Sequence, residues 1–247
     1  MMKRLLIAFQ FLTALPFKIH SEIKEGDYGR SLVYFPIVGM TIGATLSAIL
    51  LCCGFLPALV LGVIVLIFSS FLTGALHLDG FADTCDGFYG SKPKEEILEI
   101  MRDPRIGVMG VVGVILLILL KFSLIICIPR EILWRSLIAM CCFARWTQAA
   151  GCLLPYARNE GKAGLFIKYA RKKDIIMGGV FTIIVSCALF GLKGIIIFFS
   201  SLIPALIFIC YAKNKIGGMT GDTIGAVSEI TEASALFSIL TVGLIWT

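Results

Sequence analysis

Three aspartates carry the first sign of chemistry: Asp79, Asp83 and Asp86, in the string His77-Leu78-Asp79-Gly80-Phe81-Ala82-Asp83-Thr84-Cys85-Asp86-Gly87. On a helix of 3.6 residues per turn, the i, i+4, i+7 spacing confines them to roughly a 60° arc, so three carboxylates stack on one face. Like charges at that spacing repel one another. The cluster gains nothing structurally unless a cation sits among the carboxylates, and hard oxygen ligands of this kind suit Mg²⁺ or Mn²⁺. The plainer reading is a solvated acidic helix end, or N-caps for a following helix. Gly80 and Gly87 favour the first reading, because glycine lets a ligand or a neighbouring helix approach the backbone.

A second acidic segment runs from Gly217 through Gly218, Thr220, Gly221 and Asp222 to Glu229 and Glu232. Glycines ahead of an aspartate leave backbone N–H groups free to cradle phosphate oxygens, although glycine pairs also serve simply as a helix C-cap and turn. Asp222 and Glu229, seven apart, share a helix face, with Glu232 three further on. A third segment, Met101 to Gly107, offers Arg102, Asp103 and Arg105. One arginine there reads as a membrane-face anchor and the other as a bidentate clamp for a diphosphate. Arg145 lies ten residues inside an apolar stretch, where an ionisable group is costly and by default functional. Lys121 is expected near the outer end of its own stretch, from which it can snorkel.

Carboxylates, a glycine-rich acidic segment and arginines are the parts of a metal-assisted phosphoryl-transfer site. The expected metal ligands are Asp79, Asp83, Asp86, Asp222 and Glu229. The expected catalytic groups are His77, Asp86, Arg105 and Arg145. Arg102, Asp103, Gly218, Thr220, Gly221 and Glu232 are the expected substrate contacts. No Walker A, HExxH or GxSxG pattern competes, and His20 reads as incidental.

The elements that must position these groups are helices in a membrane. Of the 247 residues, 58% are hydrophobic and 15% charged, against about 25% charged in soluble domains. Seven apolar stretches have about the length of a spanning helix: 35 to 54, 57 to 76, 107 to 128, 132 to 154, 175 to 192, 194 to 212 and 233 to 246. The seventh is short. The expected fold is all-α, a polytopic membrane protein of about seven transmembrane helices, forming one domain over 1–247. The opening segment, with Lys3 and Arg4 before an apolar run broken by Gln10, Thr13 and Pro16, reads as an N-terminal interfacial helix rather than a secretory signal. Eight of the nine cysteines fall inside apolar stretches and read as small buried hydrophobes; their spacing completes no zinc site.

Basic residues stay in the cytoplasm. Of the 22 Lys and Arg, 17 fall on the side shared by the N-terminus and the three acidic and basic segments, 3 on the other, and Lys121 and Arg145 lie within spans. The expectation is a multi-pass cell-membrane protein with its N-terminus and active-site loops cytoplasmic. The net charge of +6 is accounted for by this asymmetry, so nucleic acid is not an expected partner.

The chain also resembles a known family, the membrane-bound cobalamin synthases, or adenosylcobinamide-GDP ribazoletransferases. The resemblance rests on Phe11-Leu12-Thr13 with Leu15-Pro16, Phe35-Pro36-Ile37-Val38-Gly39, His77 to Gly87, Ile100 to Gly107, Leu154-Pro155-Tyr156-Ala157-Arg158 and Gly217 to Glu232. It departs at Ala14, where the family pattern leads one to expect a basic residue, and at Cys85, which replaces a small alanine. It implies that a ribose hydroxyl of α-ribazole, or of its 5′-phosphate, attacks the cobinamide-bound phosphorus of adenosylcobinamide-GDP, releasing GMP. Asp83-Thr84-Cys85-Asp86-Gly87 partly echoes the D-x-x-D-G signature of CDP-alcohol phosphotransferases. A transporter is the competing class; broken helices near the bilayer midplane would favour it.

Overall fold

A computed structural model describes residues 2–19 and 21–245. His20 lies outside the described residues, and so do Trp246 and Thr247, which include the end of the expected seventh span. Twelve α-helices account for most of the described chain, and a single bridge between Tyr156 and Met219 is its only extended pairing. They are α1 (Met2–Leu12), α2 (Glu25–Ser31), α3 (Phe35–Cys52), α4 (Ala58–Thr73), α5 (Leu76–Phe88), α6 (Lys94–Ile100), α7 (Val108–Cys127), α8 (Arg130–Gly151), α9 (Lys162–Lys168), α10 (Lys172–Phe190), α11 (Lys193–Ile216) and α12 (Gly221–Ile245).

The centre of the bundle is α8, which packs on α3, α10 and α12, while α12 also packs on α5, α7 and α11. The α3–α8 crossing is close because Gly39 and Gly43 stand four apart on α3. A Cβ at Gly39 would lie 2.2 Å from the Cys141 carbonyl oxygen, and one at Gly43 2.6 Å from Ile138 Cα. Small residues at this spacing let helix backbones touch where the bilayer supplies no hydrophobic drive to associate. The outer faces of α4, α7, α10 and α11 expose large apolar side chains, among them Phe71, Leu116, Ile176 and Ile207. In water this would be an aggregating surface; in a bilayer it is the solvated one. The protein is a membrane protein.

Five helical stretches are long and apolar enough to span, or six if α4 and α5 form one broken span. The count of seven is not reached, because α8 carries Arg135, Arg145 and Gln148 along its length. Its neighbours enclose it, so it has no need of a lipid-soluble surface. Two further corrections concern boundaries. The stretch from 233 is the second half of α12, so Asp222, Glu229 and Glu232 belong to that helix instead of preceding it. The aspartate string does not continue the α4 span: Gly74 (φ +61°) and Ala75 (φ +54°) are both left-handed, and α5 leaves at 91° to α4. Ala75 is the only non-glycine among the described residues with positive φ, a conformation that an L-residue adopts at a cost.

The segment expected to be interfacial forms α1, tied to α2 by Lys3 and Arg4, which stand 2.6 and 3.0 Å from the Asp27 carboxylate. All nine cysteines are free; Cys141, Cys142 and Cys152 are buried, but Cys52, Cys127 and Cys210 face outward rather than into the core.

Candidate active site

The string from His77 to Gly87 forms α5, and its three carboxylates have different surroundings. Asp79 is exposed and Asp83 half-buried, and neither has a hydrogen-bond or ion-pair partner among the described residues. Asp86 is committed: its Oδ2 accepts from Gly107 N–H at 2.7 Å and its Oδ1 from Gly110 N–H at 2.8 Å. It caps the start of α7 from another helix, satisfying donors that a helix N-terminus leaves open.

Asp222 comes to α5 through a tight helix crossing. A Cβ at Gly80 would stand 2.8 Å from both Asp222 Cα and its carbonyl oxygen. Asp222 pairs with Arg158 Nη2 at 2.7 Å, and the same nitrogen donates to the Met101 carbonyl at 3.2 Å. Arg158 Nε is buried without a partner. The loop carrying Arg158 is fixed by backbone exchange with the segment before α12: Ala157 N–H donates to Met219 O at 2.9 Å, and Met219 N–H to Pro155 O at 2.8 Å. Within this loop, burial pushes the Tyr156 phenol up from its ordinary value.

That exchange determines what the glycines do. Gly217 (φ +79°) ends α11, and a Cβ at Gly218 would stand 2.1 Å from the Pro155 carbonyl oxygen. Thr220 and Thr223 cap α12 reciprocally, Thr220 N–H donating to Thr223 Oγ1 at 2.8 Å and Thr223 N–H to Thr220 Oγ1 at 3.1 Å. Thr220 is therefore fully buried and occupied with the helix start. Gly221 and Asp222 lie in the first turn of α12, where N–H groups have no acceptor within the helix.

Glu229 and Glu232 lie deeper. Seven and ten residues along α12 from Asp222, they sit about 10 and 15 Å further along its axis. Both bind Lys121: Glu229 Oε2 accepts from Nζ, and Glu232 Oε2 stands 2.5 Å from it. Glu232 Oε1 also accepts from Arg145 Nη1 at 2.7 Å, and that nitrogen reaches Ser228 Oγ at 2.6 Å. Two acids and two cations thus alternate in a chain, Glu229–Lys121–Glu232–Arg145, joining α7, α8 and α12. Lys121 is only 5% exposed, so the expectation that it snorkels is corrected. His77 is buried beside this network, with neither ring nitrogen partnered.

In the loop before α7, Arg105 grips Asp103 with two side-chain bonds, Nε to Oδ1 at 2.9 Å and Nη2 to Oδ2 at 2.7 Å. Those bonds hold the Asp103 carboxyl down to about 2. Arg102 is exposed in the same loop.

The expected residues therefore fall into two groups. Asp79, Asp83 and Asp222 meet at the α5–α12 crossing, with Asp86 further along α5 and Arg102, Asp103 and Arg105 in the loop before α7. His77, Arg145, Glu229 and Glu232 occupy the interior. Two residues absent from the expected set join them, Arg158 at the crossing and Lys121 inside. A signal for each was present: Arg158 closes the Leu154–Arg158 string, and Lys121 is a cation in an otherwise apolar helix. For a divalent cation the donor chemistry fits, since Asp79 and Asp83 offer unpartnered hard oxygens beside Asp222. No three His, Cys, Asp or Glu side chains among the described residues form a ready-made cage.

The sequence model of one protein family, cobalamin-5-phosphate synthase, matches residues 4–240. An adenosylcobinamide-GDP ribazoletransferase of Acetivibrio thermocellus is 36% identical over 94% of this chain and 94% of its own. Proteins of the same name from Geotalea daltonii and Clostridium acetobutylicum are 34% and 36% identical, over 98% and 97% of this chain and 99% and 96% of theirs. No solved structure matches the chain.

Proposed function

The chain belongs to the cobalamin-5-phosphate synthase family, and from that premise we propose that it joins adenosylcobinamide-GDP to α-ribazole, or to α-ribazole 5′-phosphate, at the mouth of the α5–α12 crossing. A ribose hydroxyl oxygen of the acceptor forms a bond to the cobinamide-bound phosphorus. The bond from that phosphorus to the bridging oxygen breaks, GMP leaves with the electron pair, and the hydroxyl proton passes to a base. The observation that carries this reading is the pair of unpartnered carboxylates, Asp79 and Asp83, facing the Asp222–Arg158 ion pair.

Phosphoryl transfer asks a protein for charge neutralisation and alignment. Asp79, Asp83 and Asp222 would hold a divalent cation such as Mg²⁺, which when bound neutralises charge on phosphoryl oxygens. Arg158 balances Asp222 and keeps its buried Nε–H unspent beside that pair. Arg105 reaches an anion by exchanging Asp103 for it, which suits a diphosphate clamp. A carboxylate of Asp79 or Asp83 is the better base than His77, whose ring faces the interior network. Arg145, Glu229 and Glu232 act from within, by fixing α12 against α7 and α8. By the distribution of basic residues, the mouth opens to the cytoplasm.

The 91° bend between α4 and α5 would also suit a transporter, but a transporter makes no new bond. Incubating the detergent-solubilised protein with α-ribazole, Mg²⁺ and adenosylcobinamide-GDP made chiral at the cobinamide-bound phosphorus separates the two. The expected outcome is GMP and a cobalamin product with net inversion at phosphorus. No product would leave the transporter, and net retention would require a covalent phospho-enzyme instead of direct displacement.

A further inference from the structure

A second polar pocket, of about 260 Å³, lies where α1, the turn after α2 and the start of α10 meet. It is lined by Arg4, Arg30, Arg171 and Lys173 against a single carboxylate, Asp174, with Tyr34 at its edge. Two of the cations are already engaged: Arg4 stands 3.0 Å from Asp27, and Arg171 3.5 Å from Asp174. Arg30 and Lys173 have no hydrogen-bond or ion-pair partner among the described residues. The N-terminus of α10 adds partial positive charge. The pocket therefore has a surplus of positive charge, with two side chains free to bind an anion.

The surroundings indicate the class of anion. Met177 lines the pocket and begins a stripe on α10 that continues through Val180 and Ile184, at i, i+3 and i+7. These three are 60%, 53% and 61% exposed, and α10 is one of the helices apolar enough to span the bilayer. A free phosphate would use only the basic end. An amphiphile with an anionic head and acyl chains would use both, and basic pockets between membrane helices on the cytoplasmic side are a recognised setting for such heads. The volume is that of about nine waters, enough for a phosphodiester headgroup. We propose that this pocket holds the phosphodiester head of an anionic membrane phospholipid, with its acyl chains along the Met177–Val180–Ile184 stripe. The lipid pins α1 and α10 to the cytoplasmic leaflet.

The test compares the protein with an Arg30→Gln/Lys173→Gln variant and a charge-keeping Arg30→Lys/Lys173→Arg variant. Each is exchanged into detergent containing equal phosphatidylglycerol and phosphatidylcholine, and bound lipid is weighed by native mass spectrometry. The unaltered chain should retain phosphatidylglycerol over phosphatidylcholine by about tenfold or more, as a few basic residues at a membrane surface supply. The Gln variant should lose that preference and the charge-keeping variant should keep it. Equal retention of the two lipids, an undiminished preference in the Gln variant, or loss in the charge-keeping variant would overturn the proposal. So would complete displacement of the lipid by inorganic phosphate, which would mark a site for free anions.

Discussion

Arg158, in the loop after α8, holds the Asp222 carboxylate at 2.7 Å while also donating to the Met101 carbonyl. One guanidinium thus connects the helix bearing the second acidic segment to the loop before α7. Replacing it by glutamine leaves Asp222 as an uncompensated charge beside Asp79 and Asp83. A charged hydrogen bond of this kind contributes about 1.5–3 kcal/mol, so kcat/KM for Arg158→Gln should fall by about 10- to 150-fold. Steady-state assay of the variant checks this, and wild-type kinetics would remove Arg158 from the site.

The interior network makes a separate prediction. Lys121→Met leaves Glu229 without a counter-ion and Glu232 with Arg145 alone. Breaking a buried pair from one side costs about 3–5 kcal/mol, whereas removing both partners is often neutral. Thermal unfolding in detergent should show Lys121→Met strongly destabilised and the Lys121→Met/Glu229→Gln double variant largely restored. A single variant as stable as the parent would contradict the network.

Asp86 and Asp83, equivalent by sequence spacing, should behave differently. Asp86→Ala strips the acceptors from Gly107 and Gly110 N–H and should cost about 1–3 kcal/mol of stability. Asp83→Ala removes a like-charge neighbour and should leave stability unchanged or improved. Melting curves of the two variants decide it; equal losses would refute the distinction.

Gly80→Ala should be among the most damaging single methyl additions, because the new Cβ would stand 2.8 Å from Asp222 backbone atoms. The α5–α12 crossing must open, separating Asp83 from Asp222, so activity and stability should fall together. Gly26→Ala, with nothing within 4 Å of its Cβ, is the control and should be neutral. Unchanged turnover in Gly80→Ala would mean that the close crossing is not needed.

These residues also show how far the sequence could be read. The i, i+4, i+7 spacing was enough to put Asp79, Asp83 and Asp86 on one helix, because helical period is a local property. It could not tell that Asp86 would turn to cap α7, since that depends on where another helix begins. Charge position alone suggested that Lys121 would snorkel, yet Glu229 and Glu232, placed by the packing of α12 against α7, enclose it. Apolar run length identified most of the bundle, five or six of whose spans are apolar enough to be recognised in the fold. α8 stays buried around Arg145, a tertiary effect, and Gly74 and Ala75 break the chain between α4 and α5 without a proline to announce it.

If the carboxylates at the α5–α12 crossing carry out phosphoryl transfer, GMP release by Asp83→Ala reads that role most directly. The parent and variant proteins, matched for melting temperature, are given adenosylcobinamide-GDP, α-ribazole and a range of Mg²⁺ concentrations. The parent should release one GMP for each cobalamin formed, and the variant should release it about 100-fold or more slowly, the scale on which a group that stabilises transition-state charge acts. A folded Asp83→Ala protein with undiminished turnover and the same dependence on Mg²⁺ would contradict that role.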